Sequence, residues 1–252
     1  MSDRTNLVYR YDGTFNGLMC CVFESIYCKE EPAAIEYSDE EQATIFEVKY
    51  IETNDEKAAR VKKSIPLKIS KEAEKLVKDT FLTCLVQKEL KILRFLKLGY
   101  KLGARTTKLS VNPDVSALDK AVLHMSREAH LLLGFLRFSE YGDFLFAEIG
   151  PKNNQLPILA PHFCSRFSGE NFVIFDRTHK LLFLHKKDGE TSFSQVDNIE
   201  IPEPDENEEK YRKLWRSFCD TIAVEGRINP KLQRNLMPKR YWPYMEEVRD
   251  KL

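Results

Sequence analysis

Five basic residues, Arg227, Lys231, Arg234, Lys239 and Arg240, lie in a stretch without a single acid and run directly into Tyr241, Trp242 and Tyr244. Lysine and arginine neutralise phosphates, and aromatic faces stack on unpaired bases, so Arg227, Lys231, Arg234, Lys239, Arg240, Tyr241 and Trp242 form a candidate nucleic-acid-binding set. Pro230 and Pro238 prevent one continuous helix, so the cations must present from a bent segment. The same pattern also suits a strap whose rings pack inward while its Lys and Arg chains stay wet.

A second constellation sits upstream. His162 and Arg166 are four apart in PILAPHFCSRF and share one face of an expected helix. Asp176 and Arg177 end an expected strand beside a turn, and His130 and Arg137 flank a helix-to-strand passage. Together, His162, Asp176, Arg166 and His130 are catalytic candidates, since they could line a cleft with an acid/base group, a carboxylate and phosphate-binding cations. The competing reading is a polar network joining helix to sheet. Neither G-x-S-x-G nor H-E-x-x-H occurs, and the five histidines show no metal-ligand spacing, so no metal and no cofactor is assigned.

These residues are embedded in a chain of 252 residues with 39 basic and 39 acidic groups. The neutrality is a cancellation between blocks. Residues 30–56 carry net −9, residues 57–108 net +11, the run 200–209 net −6 and residues 210–252 net +6. Basic blocks can hold phosphate, while acidic blocks can solvate the protein or mask the basic ones. Hydrophobic residues at 42% exclude a disordered polyelectrolyte. With only 10 glycines, and neither a dinucleotide fingerprint nor a P-loop, backbone cradles for nucleotide phosphates are not expected. No signal peptide and no long apolar run is seen, and no C-x-x-C pairs the six cysteines, so a reduced, cytoplasmic protein is expected.

The elements that must position these residues read as α+β. Val8–Tyr11 is β-prone, Asp12-Gly13 turns, and Thr14 caps a helix through Ile26. Glu30–Glu41, with Pro32, reads as loop, and Thr44–Ile51 as strand. Asn54 caps a short helix that Ile65-Pro66 interrupts, and Ser70 opens a basic amphipathic helix or helix pair. Asn112-Pro113-Asp114 starts another helix. The centre then reads strand, strand, helix, strand, strand: a ββαββ module, most economically a central antiparallel sheet covered by helices. A helix from Asp205 to about Val224 carries Tyr211, Leu214, Trp215, Phe218 and Ile222 on one face. Residues 1–110 thus form a strand/helix region with basic helices, and residues 111–252 an α+β domain with the basic-aromatic tail; the two could pack as one unit.

The phrases NPKLQRNLMPKRYWPYM, REAHLLLGFLRF, LAPHFCSRF, VIFDR and YDGTFNGLMCCVFESI resemble the bacterial "probable DNA metabolism protein" family, over roughly residues 8–245. That family ends in a domain of unknown function. The resemblance implies DNA repair or modification, a partnership with a radical SAM protein assigned to DNA repair, and in some members fusion to a uracil-DNA glycosylase. This chain stops at Leu252 and lacks C-x-x-x-C-x-x-C, so the resemblance implies the stand-alone partner, without either catalytic part. Three roles follow as expectations: a DNA-binding accessory of the radical SAM partner or glycosylase, an enzyme acting on a damaged nucleotide or DNA end through the His/Asp/Arg cleft, or an adaptor that docks through the acidic blocks without touching DNA.

Overall fold

The computed structural model describes residues 6–37, 45–197, 199, 206–223, 226 and 229–248. The chain divides into two compact units, Met1–His124 and Met125–Leu252. The division falls inside a long helix rather than at residue 110.

The first unit is built on a three-stranded parallel sheet. Strand β1 (Leu7–Tyr11) is central, with β2 (Ala34–Tyr37) and β3 (Glu47–Tyr50) on either side. All five residues of β1 are buried, as expected of a parallel strand covered on both faces. The return from β1 to β2 is made by α1 (Phe15–Tyr27). Its start is fixed by the Thr14 side chain, which accepts from the Gly17 amide at 2.9 Å. Asn54 caps α2 (Asp55–Lys68) in the same way, and Ser70 caps α3 (Lys71–Phe81). The basic helical region is therefore a pair: α3 ends, and α4 (Lys88–Leu102) begins after Gln87 in a left-handed conformation. Two expectations change here. The acidic stretch from Glu30 hides β2, whose short Ala34-Ile35-Glu36-Tyr37 alternation is obscured by the neighbouring charge; Ser38 to Glu41 lie outside the described residues, as does Thr44 at the expected start of β3. Pro66 does not end α2, because it sits in the last turn and costs one backbone bond, while Ile65 is buried and the Ile69 amide still bonds to the Ile65 carbonyl.

Helix α5 (Pro113–Phe135) crosses from the first unit into the second. The second unit has a five-stranded mixed sheet in the order β4-β5-β6-β7-β8, formed by Ser139–Tyr141, Phe144–Ile149, Phe172–Asp176, Leu181–His185 and Thr191–Gln195. The α+β class holds, but the sheet is not wholly antiparallel. Strands β5 and β6 run parallel, because α6 (Leu156–Arg166) is a crossover that returns the chain to the same end of the sheet. The other three pairings are antiparallel. Strand β8 escaped the sequence reading because every residue in it is exposed, so it has no apolar alternation. Its Phe193 meets the buried Phe183 at 4.8 Å between ring centres.

The remaining elements are α7 (Glu206–Ile222), α8 (Pro230–Leu236) and a 3-10 turn over Lys239–Tyr244. The acidic residues 200–205 lie outside the described residues. No described helix is long and apolar enough to cross a membrane.

At the start of α1, Asp12 accepts from the Thr14 amide at 2.9 Å and from the Thr53 hydroxyl at 2.7 Å, tying the end of β1 to the chain that follows β3. A β-carbon on Gly17 would intrude on the Asp12 carboxylate, the Thr53 hydroxyl and the Tyr11 ring. Gly17→Ala is expected to destabilise the first unit by about 1–3 kcal/mol, the usual cost of overpacking. Far-UV circular dichroism during urea unfolding would measure the loss.

Candidate nucleic-acid interface

The tail is organised by one carboxylate. Glu128 on α5 has a side chain only 1% exposed. One oxygen accepts from the Lys152 amide at 3.0 Å, Arg240 Nη2 at 2.7 Å and the Tyr241 hydroxyl at 3.0 Å. The other accepts from the Asn153 amide at 2.9 Å, Asn153 Nδ2 at 2.5 Å and Gln155 Nε2 at 3.1 Å. Burial alone would raise the pKa of Glu128, but the hydrogen bonds from Lys152, Asn153 and Gln155 outweigh it and hold the group at about 2.

This hub corrects the reading of the tail. Tyr241 and Trp242 are 1% and 6% exposed and belong to the apolar core of the second unit, so their faces are not free to stack on bases. The Trp242 indole donates to the Met237 carbonyl at 2.9 Å. Arg240 is committed to Glu128 and also donates to the Tyr241 hydroxyl. Lys239 lies over the Trp242 ring at 5.3 Å. Lys231 and Arg234 are exposed on the short α8, and Arg234 Nε donates to the Pro230 carbonyl at 3.1 Å. Arg227 lies outside the described residues. The tail is therefore a strap that, among the described residues, leaves Lys231, Arg234 and Lys239 exposed.

Three of the four catalytic candidates are exposed and the fourth, Asp176, is buried. His162 and Arg166 do share one exposed face of α6, and His130 is exposed on α5. Asp176 is fully buried and committed to its own turn: it accepts from the Thr178 and His179 amides at 2.9 and 3.1 Å and meets His179 Nδ1 at 2.7 Å. Among the described residues, no hydrogen bond or ion pair joins Asp176 to His162, Arg166 or His130. An aspartate that closes an Asx turn and anchors a nearby histidine explains the strand-end Asp-Arg-Thr-His sequence structurally.

The basic block 57–108 has the opposite fate. Arg60, Ser64 and Lys68 form one row along α2, and Lys97 and Lys101 one row along α4. With the end of α1 they border a cavity of about 770 Å³. Ser64 and Tyr100 hold the two helices together through a 2.6 Å hydroxyl–hydroxyl bond. Lys97 is neutralised by Glu31 at 2.7 Å. Lys29, Arg60, Lys68 and Lys101 are exposed around the same cavity and, among the described residues, make no ion pair. Arg60 lies over the Phe23 ring at 5.3 Å. The positive charge of the block was legible in the sequence, but the two rows and their convergence with Phe23, Tyr27 and Lys29 were not.

A family model described as a domain of unknown function, DUF4130, matches residues 86–247, more than half of the chain. The chain belongs to the DUF4130 family. No curated protein and no solved structure matches it. The DUF4130 span contains Glu128 and every described partner of its carboxylate, together with the α4 wall of the basic cavity, whereas Phe23, Tyr27 and Arg60 precede it.

Because the folded-state pKa of Glu128 is depressed from 4.5 to about 2, its contribution is complete above pH 4.5 and is lost as pH falls through 2. The shift corresponds to about 3 kcal/mol. Both tryptophans, Trp215 and Trp242, lie in the second unit and report on its unfolding. Glu128→Gln is expected to lower stability at pH 7 by about 3 kcal/mol and to flatten the loss between pH 4.5 and 2. Urea titrations followed by tryptophan fluorescence would measure both effects.

Proposed function

We propose that the chain is a DNA-binding accessory protein of DNA repair or modification, working beside a radical SAM protein or a uracil-DNA glycosylase. The partners rest on the family resemblance of the sequence. The DNA-binding part is supported by one observation: four exposed cations without ion pairs border a single concave site on the first unit. Such groups gain on meeting phosphate because they release condensed counterions from the nucleic acid and break no internal ion pair in doing so. Cations already held by carboxylates, such as Lys75 with Asp79 and Lys78 with Glu74, gain less. The accessory role is favoured over the enzymatic one because Asp176, the only carboxylate among the catalytic candidates, is spent on its own turn.

This reading moves the main DNA contact from the tail to α2 and α4. Fluorescence anisotropy with a labelled oligonucleotide, repeated across salt concentrations, would test it. The triple variant Arg60→Ala, Lys68→Ala, Lys101→Ala is expected to weaken binding at least tenfold and to reduce the salt slope by about 2–3, near one unit per lost phosphate contact. The double variant Lys231→Ala, Arg234→Ala is expected to change affinity only about twofold. Salt-insensitive binding, or a triple variant equal to wild type, would remove the proposal.

A further inference from the structure

The cavity on the first unit is more than a cluster of cations. Its rim carries an aromatic pair: Phe23 and Tyr27 lie on successive turns of α1, with ring centres 5.7 Å apart and planes inclined by 11°. Phe23 is the inner ring. The Arg60 guanidinium and the Lys57 ammonium lie over it at 5.3 and 5.5 Å. Tyr27 is the outer ring and is 75% exposed, an unusual position for a tyrosine that has an apolar partner behind it. Ile26, 43% exposed, adds apolar surface beside it. A solvated helix end needs no parallel ring stack, and a surface for duplex backbone needs only cations. A stack of two rings with a free outer face beside unpaired cations matches the two demands of a single-stranded nucleotide: a planar base to cover and a phosphate to neutralise.

The opposite wall fits the same ligand. Tyr100 and Ser64 present their joined hydroxyls at the cavity; Ser64 Oγ donates to the Val61 carbonyl at 2.7 Å, so the Tyr100 hydroxyl donates to Ser64 and the oxygens face the space as acceptors for a base edge. Tyr100 has its pKa raised, chiefly by burial, which keeps the hydroxyl protonated in its bond to Ser64. Lys68 and Lys101 stand at the same mouth on neighbouring helices. The Lys97–Glu31 pair forms a rigid part of the wall, with Lys97 also donating to the Glu30 carbonyl at 2.8 Å. At about 770 Å³ the space falls within the usual range for a small-molecule site and exceeds what one phosphate requires.

We infer that this cavity binds one unpaired nucleotide of a single-stranded segment, with the base stacked on Tyr27 and the adjoining phosphate held by Arg60, Lys68 and Lys101. The inference rests on the DNA-binding reading above and deepens it by naming the state of the nucleic acid. An unpaired base is what a nucleic acid offers at a gap, a flipped lesion or a displaced strand. Single-stranded RNA presents the same phosphate and a planar base, and differs in the sugar and, for uracil, in the missing 5-methyl group.

The probes are a ten-nucleotide oligothymidylate, a ten-nucleotide oligouridylate, a blunt ten-base-pair duplex and an oligothymidylate with its central base removed. Wild type is expected to bind oligothymidylate more tightly than duplex. Tyr27→Ala is expected to weaken oligothymidylate binding about tenfold, the loss of one stacked base, while leaving duplex affinity within about twofold. Since Tyr27 is largely exposed, the variant should keep its fold, which circular dichroism would verify. The phosphate-side triple variant should weaken both probes. On the base-deleted strand, Tyr27→Ala should cost less than on the intact strand, because the stacking partner is partly removed. Equal affinity for oligouridylate assigns the site to either nucleic acid; a preference for one assigns it to that nucleic acid, and both outcomes fit the inference. If Tyr27→Ala weakens duplex and single strand equally, or neither, the nucleotide site is overturned while DNA binding stands. If a polyglutamate peptide competes as well as oligothymidylate, the cavity reads charge alone and the inference fails. If wild type binds no probe, the DNA-binding reading falls with it.

Discussion

A buried carboxylate must be satisfied, and in this chain Glu128 on α5 is satisfied by six donors drawn from two other segments. That requirement fixes α5, the 152–155 loop and the C-terminal strap in one arrangement, because removing any one segment leaves an ionised group inside the protein without its partners. The consequence reaches function. Arg240 and Tyr241 are drawn inward to the carboxylate, Trp242 follows into the core, and the tail that looks most like a nucleic-acid motif becomes part of the architecture. On the proposed reading phosphate meets the first unit instead, where Lys29, Arg60, Lys68 and Lys101 stand exposed around one cavity and, among the described residues, make no ion pair.

The helices were largely legible because their starts are chemical. Thr14, Asn54, Ser70 and Asn112 each supply a side-chain acceptor at the first turn, and each does so in the structure. The central ββαββ order was legible from alternation and length. Strand direction was not: β5 and β6 are parallel through α6, and local periodicity carries no information about which neighbour a strand chooses. Strands β2 and β8 were hidden by charge and by exposure respectively.

Site legibility divides along the same line. Glu128 falls at a position where α5 points inward, three residues after the buried Met125 and four before the buried Leu132. An acid in that phase was the available signal, and it was obscured by the polar neighbours Arg127 and His130. The net charge of residues 57–108 could be read from the sequence, but the meeting of Arg60, Lys68 and Lys101 with Phe23 and Tyr27 depends on tertiary packing that no linear pattern encodes. Conversely, the Asp176 motif looked chemical because turn-closing aspartates and catalytic aspartates share a vocabulary; the hydrogen bonds to Thr178 and His179 decide between them.

The central claim is that nucleic acid meets the aromatic residues of the first unit and not those of the tail. Photocrosslinking with an oligothymidylate carrying 4-thiothymine, followed by mass spectrometry of the crosslinked peptides, tests it directly. The account predicts crosslinks to peptides containing Tyr27 and Tyr100. Crosslinks confined to the peptide carrying Tyr241, Trp242 and Tyr244 would contradict it.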